Sequence, residues 1–140
     1  NLGEEPKSLA KVASGGEVSR IMLALKAILA KSERLPILVF DEIDTGISGA
    51  IARRAGESMH RLAQYHQIIA ITHLPQIASL GDTHFVVEKA VEGGRTKTHI
   101  RRLDEAERAE QIALLLSGDA LSEASLQSAR ELIESGRIEE

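Results

Sequence analysis

The chain has 140 residues, 43% of them hydrophobic and 27% charged, an ordinary globular balance that excludes intrinsic disorder. The formal net charge of −4 argues against a strongly basic nucleic-acid surface, and the absence of cysteine excludes disulfides and thiolate metal sites. No apolar run approaches the roughly 20 residues that span a bilayer, and no basic-then-apolar signal peptide opens the chain, so no membrane partner is expected. The absence of an initiator Met suggests an excised piece of a longer protein.

Only Phe40, Tyr65 and Phe85 are aromatic, so the core must come from Leu, Ile, Val and Ala, a composition suited to layered helices and sheet. Residues 1–13 read as an irregular lead-in. Ser14-Gly15-Gly16-Glu17 is a turn signal ahead of an apolar run. Ile21, Leu25, Ile28 and Leu29 share one face at helical spacing, which predicts a helix over 16–31. Its start has a capping-box spacing in Ser14 and Glu17. Ile37-Leu38-Val39-Phe40 is a continuous apolar run closed by Asp41 and Glu42, the pattern of a strand buried on both faces of a parallel sheet.

Residues 43–49 then form a loop broken by Gly46 and Gly49. A helix over 50–65 carries Ala55, Met59 and Leu62 inward. A second buried strand spans 67–72, and Pro75 opens a short helix through Leu80. Strands over 83–89 and 96–102 are joined by the turn Glu92-Gly93-Gly94-Arg95, and helices follow over 105–116 and 122–135, with Gly118 and Gly136 as stops. The expected fold is α/β: a mainly parallel sheet, extended by an antiparallel hairpin and flanked by helices.

Three places carry chemistry. Asp41 and Glu42 close a strand at the carboxyl edge of a sheet, where open α/β proteins bind ligands. An Asp there can hold Mg²⁺ beside phosphate oxygens, and the adjacent Glu can accept a proton from water or orient it; the plainer alternative is an acidic loop capping the next helix. Ser14, Gly15 and Gly16 stand at a helix start, where unpaired N–H groups and the positive dipole end suit a phosphate; the alternative is an ordinary N-cap, with Glu17 serving capping alone. His73 closes the next strand. Beside the acidic pair it can donate to a γ-phosphate and help place water. His60, His66, His84 and His99 have no such context. Lys97, His99 and Arg101 alternate on one strand face, either toward DNA or as a solvated outer face; the acidic charge favours the solvated face.

In this order the three places resemble the ABC/SMC-type ATPase heads. Ser14-Gly15-Gly16-Glu17 is similar to the ABC signature motif, with Glu for the usual Gln. Residues 37–42 look like Walker B with the catalytic glutamate, and His73 matches the switch histidine. The fuller strings resemble the RecN family of bacterial DNA-repair proteins: Ala13 to Glu17 with Ser19 to Ala24, Phe40 to Gly49, and Thr72 to Gln76. Ser48 stands where most D-loops carry Asp, as RecN-like sequences do.

The resemblance implies a C-terminal head lobe covering 1–140, with ATP and Mg²⁺ as cofactors. Asp41 would hold the metal. Glu42 and His73 would be catalytic. Ser14, Gly15, Gly16 and Ser48 would bind nucleotide. No stretch matches Gly-x-x-x-x-Gly-Lys-Ser/Thr, so the phosphate-cradling loop is expected in an N-terminal lobe of the same protein, and the chain alone is expected to hydrolyse ATP negligibly. Ser14 and Gly16 would reach nucleotide on a second head of a homodimer. Double-strand-break repair and recombination, contact with double-stranded DNA through the full protein, and a cytoplasmic, nucleoid-associated location follow from the same resemblance. Alternatives are another ABC/SMC-type chromosome-maintenance ATPase or a non-enzymatic interaction module.

Overall fold

The structure, a computed structural model, describes residues 23–24, 28, 35–41, 43–44, 46–118 and 120–137. Leu23, Ala24 and Ile28 are helical; the rest of the helix expected over 16–31 lies outside the described residues. The chain divides into two compact units, Asn1–Leu74 and Pro75–Glu140.

In the first unit, β1 (Ile37–Phe40) pairs in parallel with β2 (Gln67–Ala70), Ile37 beside Gln67 and Phe40 beside Ala70. The ladder extends one residue past each end: Gln67 N–H donates to Pro36 O and Ile71 N–H to Phe40 O, both at 2.9 Å. Helix α1 (Gly49–Ala63) connects the strands and buries Ala52, Ala55, Met59 and Leu62, a stripe at helical spacing that includes the three inward residues expected. Leu38 and Phe40 are buried on the same strand face. Gly46 and Gly49 both have positive φ, 72° and 52°. That backbone disfavours any residue with a Cβ, and it lets the chain turn sharply from β1 into α1.

The strands were expected to be buried on both faces, and they are not. Ile37, Val39, Ile69 and Ile71 are 47 to 57% exposed. Alternation along a strand sends successive side chains to opposite faces, and no described element covers this second face. Hydrophobicity of the run therefore marks a surface made for burial.

In the second unit, α2 (Pro75–Ala78) leads to β3 (Phe85–Glu92) and β4 (Arg95–Arg102), an antiparallel hairpin. Its turn residues Gly93 and Gly94 have φ of 59° and 77°, as a two-residue turn matched to strand twist requires. The hairpin is a sheet of its own, not an extension of β1–β2 as expected. Phe85, Val87, Val91 and Ile100 share one face with Lys89 and Arg102, the four apolar residues 56 to 75% exposed, and Val86, Glu88, Lys97, His99 and Arg101 lie on the other.

Helices α3 (Glu105–Ser117) and α4 (Glu123–Arg137) pack around Ala109, Ile112, Ala113, Ala129 and Ile133. A capping box starts α3: Glu107 N–H donates to the Asp104 carboxylate at 2.8 Å, and Asp104 N–H to the Glu107 carboxylate at 3.0 Å. Ser122 and Ser125 make the same reciprocal exchange before α4, at 3.1 and 3.0 Å. Gly118 ends α3 with φ of 80°, as expected. Gly136 was expected to stop a helix but lies buried inside α4. A Cβ there would stand 2.7 Å from Leu80 Cδ2, so close approach explains this glycine better than termination does. Buried Arg108 donates to Ser79 O at 2.7 Å, joining α3 to the segment after α2. Burial, reinforced by the Arg108 charge, pushes the pKa of His84 down.

Candidate functional site at the strand tips

Parallel pairing sends the carboxyl ends of β1 and β2 to one rim of the first unit's sheet. Asp41 follows β1 directly and is exposed at that rim. His73 lies three residues past β2, level with the turn that follows Asp41. Asp41 and His73 therefore follow strands whose carboxyl ends share this rim. Glu42 lies outside the described residues, as do Ser14, Gly15, Gly16 and Glu17.

Asp44 organises the rim. Its carboxylate is buried, 5% exposed, beneath a His73 side chain that is 76% exposed. Oδ2 accepts from Thr72 Oγ1 at 2.8 Å and from the His73 backbone N–H at 2.8 Å, and it lies 2.9 Å from His73 Nδ1. Leu74 N–H donates to Thr72 Oγ1 at 3.0 Å, fixing the next step of the loop. Burial pushes the Asp44 pKa up, but the hydrogen bonds from His73 N–H and the Thr72 hydroxyl outweigh it, and the net shift is downward. Sequence reasoning missed Asp44. Its only signal was a third carboxylate in the run 41–44, followed by a turn.

Ser48 is the N-cap of α1, with extended backbone (φ −159°, ψ 170°). Its carbonyl accepts from Ile51 and Ala52 N–H at 3.2 and 3.4 Å, but its hydroxyl makes no capping hydrogen bond. The hydroxyl is exposed close along the chain to Asp44. His66, given no role from sequence, has its Nδ1 2.6 Å from Leu35 O and joins the segment before β1 to the start of β2.

Asp41 fits a magnesium ion held mainly by water and phosphate, which needs only one or two protein carboxylates. No group of three or more His, Cys, Asp or Glu suited to a metal occurs among the described residues. The basic stripe on β4 is fully exposed, yet Arg101 is committed to acids, 2.6 Å from Glu107 and 3.8 Å from Glu88. No helix among the described residues is long and apolar enough to cross a membrane.

Two parallel strands with the Asp41 and His73 loops on one rim, followed by an antiparallel hairpin and a helical pair, make an α/β fold of the kind found in SMC ATPases. The chain superposes on a solved structure from work on ATP-driven dimerization and DNA-stimulated activation of SMC ATPases, with a TM-score of 0.59 and 23% identity, covering 85% of this chain and 70% of that one. At that identity the likeness is one of fold. Sequence narrows the assignment. The chain is 43% identical over 134 residues to the DNA repair protein RecN of Halalkalibacterium halodurans. It is 41% identical over 133 residues to RecN of Bacillus subtilis and 50% over 133 to RecN of Deinococcus radiodurans. Over this stretch the chain is similar to RecN proteins. It spans 24%, 23% and 23% of the length of those relatives, so it corresponds to a segment of them. No family model matches the sequence.

Proposed function

We propose that the chain is the C-terminal lobe, residues 1–140, of a RecN-like ATPase head that acts in DNA double-strand-break repair and recombination through ATP-dependent head dimerisation. The observation that carries this reading is the rim itself, where Asp41 and the Asp44-anchored His73 stand at the tips of two parallel strands.

When bound, Mg²⁺ supplies charge neutralisation at the phosphates. Asp41, the residue after the Walker B-like strand β1, would hold it. His73 reaches outward from the buried Asp44 carboxylate, leaving Nε2 to meet a γ-phosphate oxygen or its attacking water. Glu42 takes or orients the water proton. Ser14, Gly15 and Gly16 offer hydroxyl and backbone N–H groups to nucleotide held by a second head. Ser48, exposed at the start of α1, offers a further hydroxyl to nucleotide.

Two groups of exposed apolar side chains support a lobe that is completed by more protein. Ile37, Val39, Ile69 and Ile71 form one, and Phe85, Val87, Val91 and Ile100 the other. Exposed apolar area of this kind marks interaction surface, and relatives about four times as long carry chain enough to cover it. The N-terminal lobe with the phosphate-binding loop is the partner expected there, and double-stranded DNA is engaged through the full protein. The β4 stripe remains a solvated face, given its neutralised Arg101.

The test is Glu42→Gln in a full-length protein containing this segment. Water activation is removed while ATP binding is kept, so ATP-bound head dimers should accumulate on size-exclusion chromatography with light scattering, and turnover should fall. Unchanged turnover and no trapped dimer would favour an interaction module instead.

A further inference from the structure

We infer that Asp44 is a positioning residue for His73, fixing the ring so that Nε2 is the nitrogen presented to the nucleotide; this deepens the ATPase reading and rests on it. Three groups converge on Asp44 Oδ2: the Thr72 hydroxyl at 2.8 Å, the His73 N–H at 2.8 Å and His73 Nδ1 at 2.9 Å. They tie the turn after β1 to the loop after β2, so the two loops are held to each other and not only through the strands that bear them.

An ionised carboxylate only accepts, so the 2.9 Å approach of Nδ1 favours the ring form that carries its proton on that nitrogen. Nε2 is then the ring atom left for a ligand. It donates to a phosphate oxygen when both nitrogens carry protons, and accepts from water when only Nδ1 does. A histidine with 76% of its side chain exposed would otherwise sample several rotamers and both tautomers. Here its backbone and its ring are both bound to one buried oxygen, which removes that freedom before substrate arrives. The arrangement is the carboxylate–imidazole logic by which an orienting acid sets a working histidine.

The experiment uses a full-length protein containing this segment, with Asp44→Ala and Asp44→Asn made alone and in a His73→Ala background. Turnover of ATP, KM for ATP and ¹⁵N NMR of the His73 ring are measured. Asp44→Ala should lower kcat about 10–100-fold, the usual effect of losing an orienting partner, with KM changed less than about threefold, and should replace the single Nδ1-protonated signature by a mixture. Asp44→Asn keeps an acceptor oxygen and should lose less; it carries the test should the Ala variant not fold. In the His73→Ala background neither substitution should slow the enzyme further. An equal loss in both backgrounds, or an unaltered ring spectrum in Asp44→Ala, would overturn the proposal. A His73→Ala protein with undiminished turnover would instead overturn the role given to His73 in hydrolysis, and the ring spectrum would still decide whether Asp44 sets the tautomer.

Discussion

His73→Ala in a full-length protein containing this segment is expected to lower kcat for ATP hydrolysis by about 10²–10³-fold, within the range of a positioned acid–base or electrostatic group. The imidazole is exposed at the rim and tethered from below by the buried Asp44 carboxylate. Its removal would delete the group proposed to face nucleotide without opening a cavity in the core. The melting temperature should therefore stay within about 2 °C, because exposed substitutions away from structural features cost little. Steady-state kinetics beside thermal denaturation separate the two effects. A large drop in melting temperature with the same fractional loss in every kinetic parameter would mean that His73 holds the loop and does not act on nucleotide.

The second large effect is on stability. Ile112→Ala should destabilise the second unit by about 2–5 kcal/mol, the usual cost of truncating a buried Ile. Ile112 is 0% exposed and sits among Ala109, Ala113, Ala129 and Ile133. The four neighbours are three alanines and one isoleucine, so the first ring around the site has little side chain with which to fill the space. Urea denaturation followed by circular dichroism reads the change, with the midpoint moving and the slope unchanged. A shift under about 0.5 kcal/mol would show that the α3–α4 seam is not the core of this unit.

Much of the fold was legible because local signals and period agreed. Gly93-Gly94 between two alternating runs dictated the hairpin, and Gly118 dictated the end of α3. The apolar stripe Ala55, Met59 and Leu62 oriented α1. Burial on both faces of β1 and β2 was not legible as something still to be supplied: Val39 and Ile69 have the composition of core residues and lie exposed, because apolar character records a need for cover and not who provides it. Separation of the hairpin from the parallel sheet was hidden for a similar reason, since adjacency in sequence does not decide which strands pair. Gly136 misled because the same residue type serves a helix stop and a tight helix contact.

At the site, strand-end logic located Asp41 and His73 on one rim. Asp44 escaped it because its importance lies in two hydrogen bonds and a close imidazole contact to a loop 28 and 29 residues away, a relation with no local periodicity.

The most direct test is a crystal structure of a full-length protein containing this segment, with Mg²⁺ and a non-hydrolysable ATP analogue. Asp41 should face the metal, directly or through one water, and His73 Nε2 should lie within about 3 Å of a γ-phosphate oxygen or its attacking water. Nucleotide bound with its γ-phosphate remote from both residues would contradict the account.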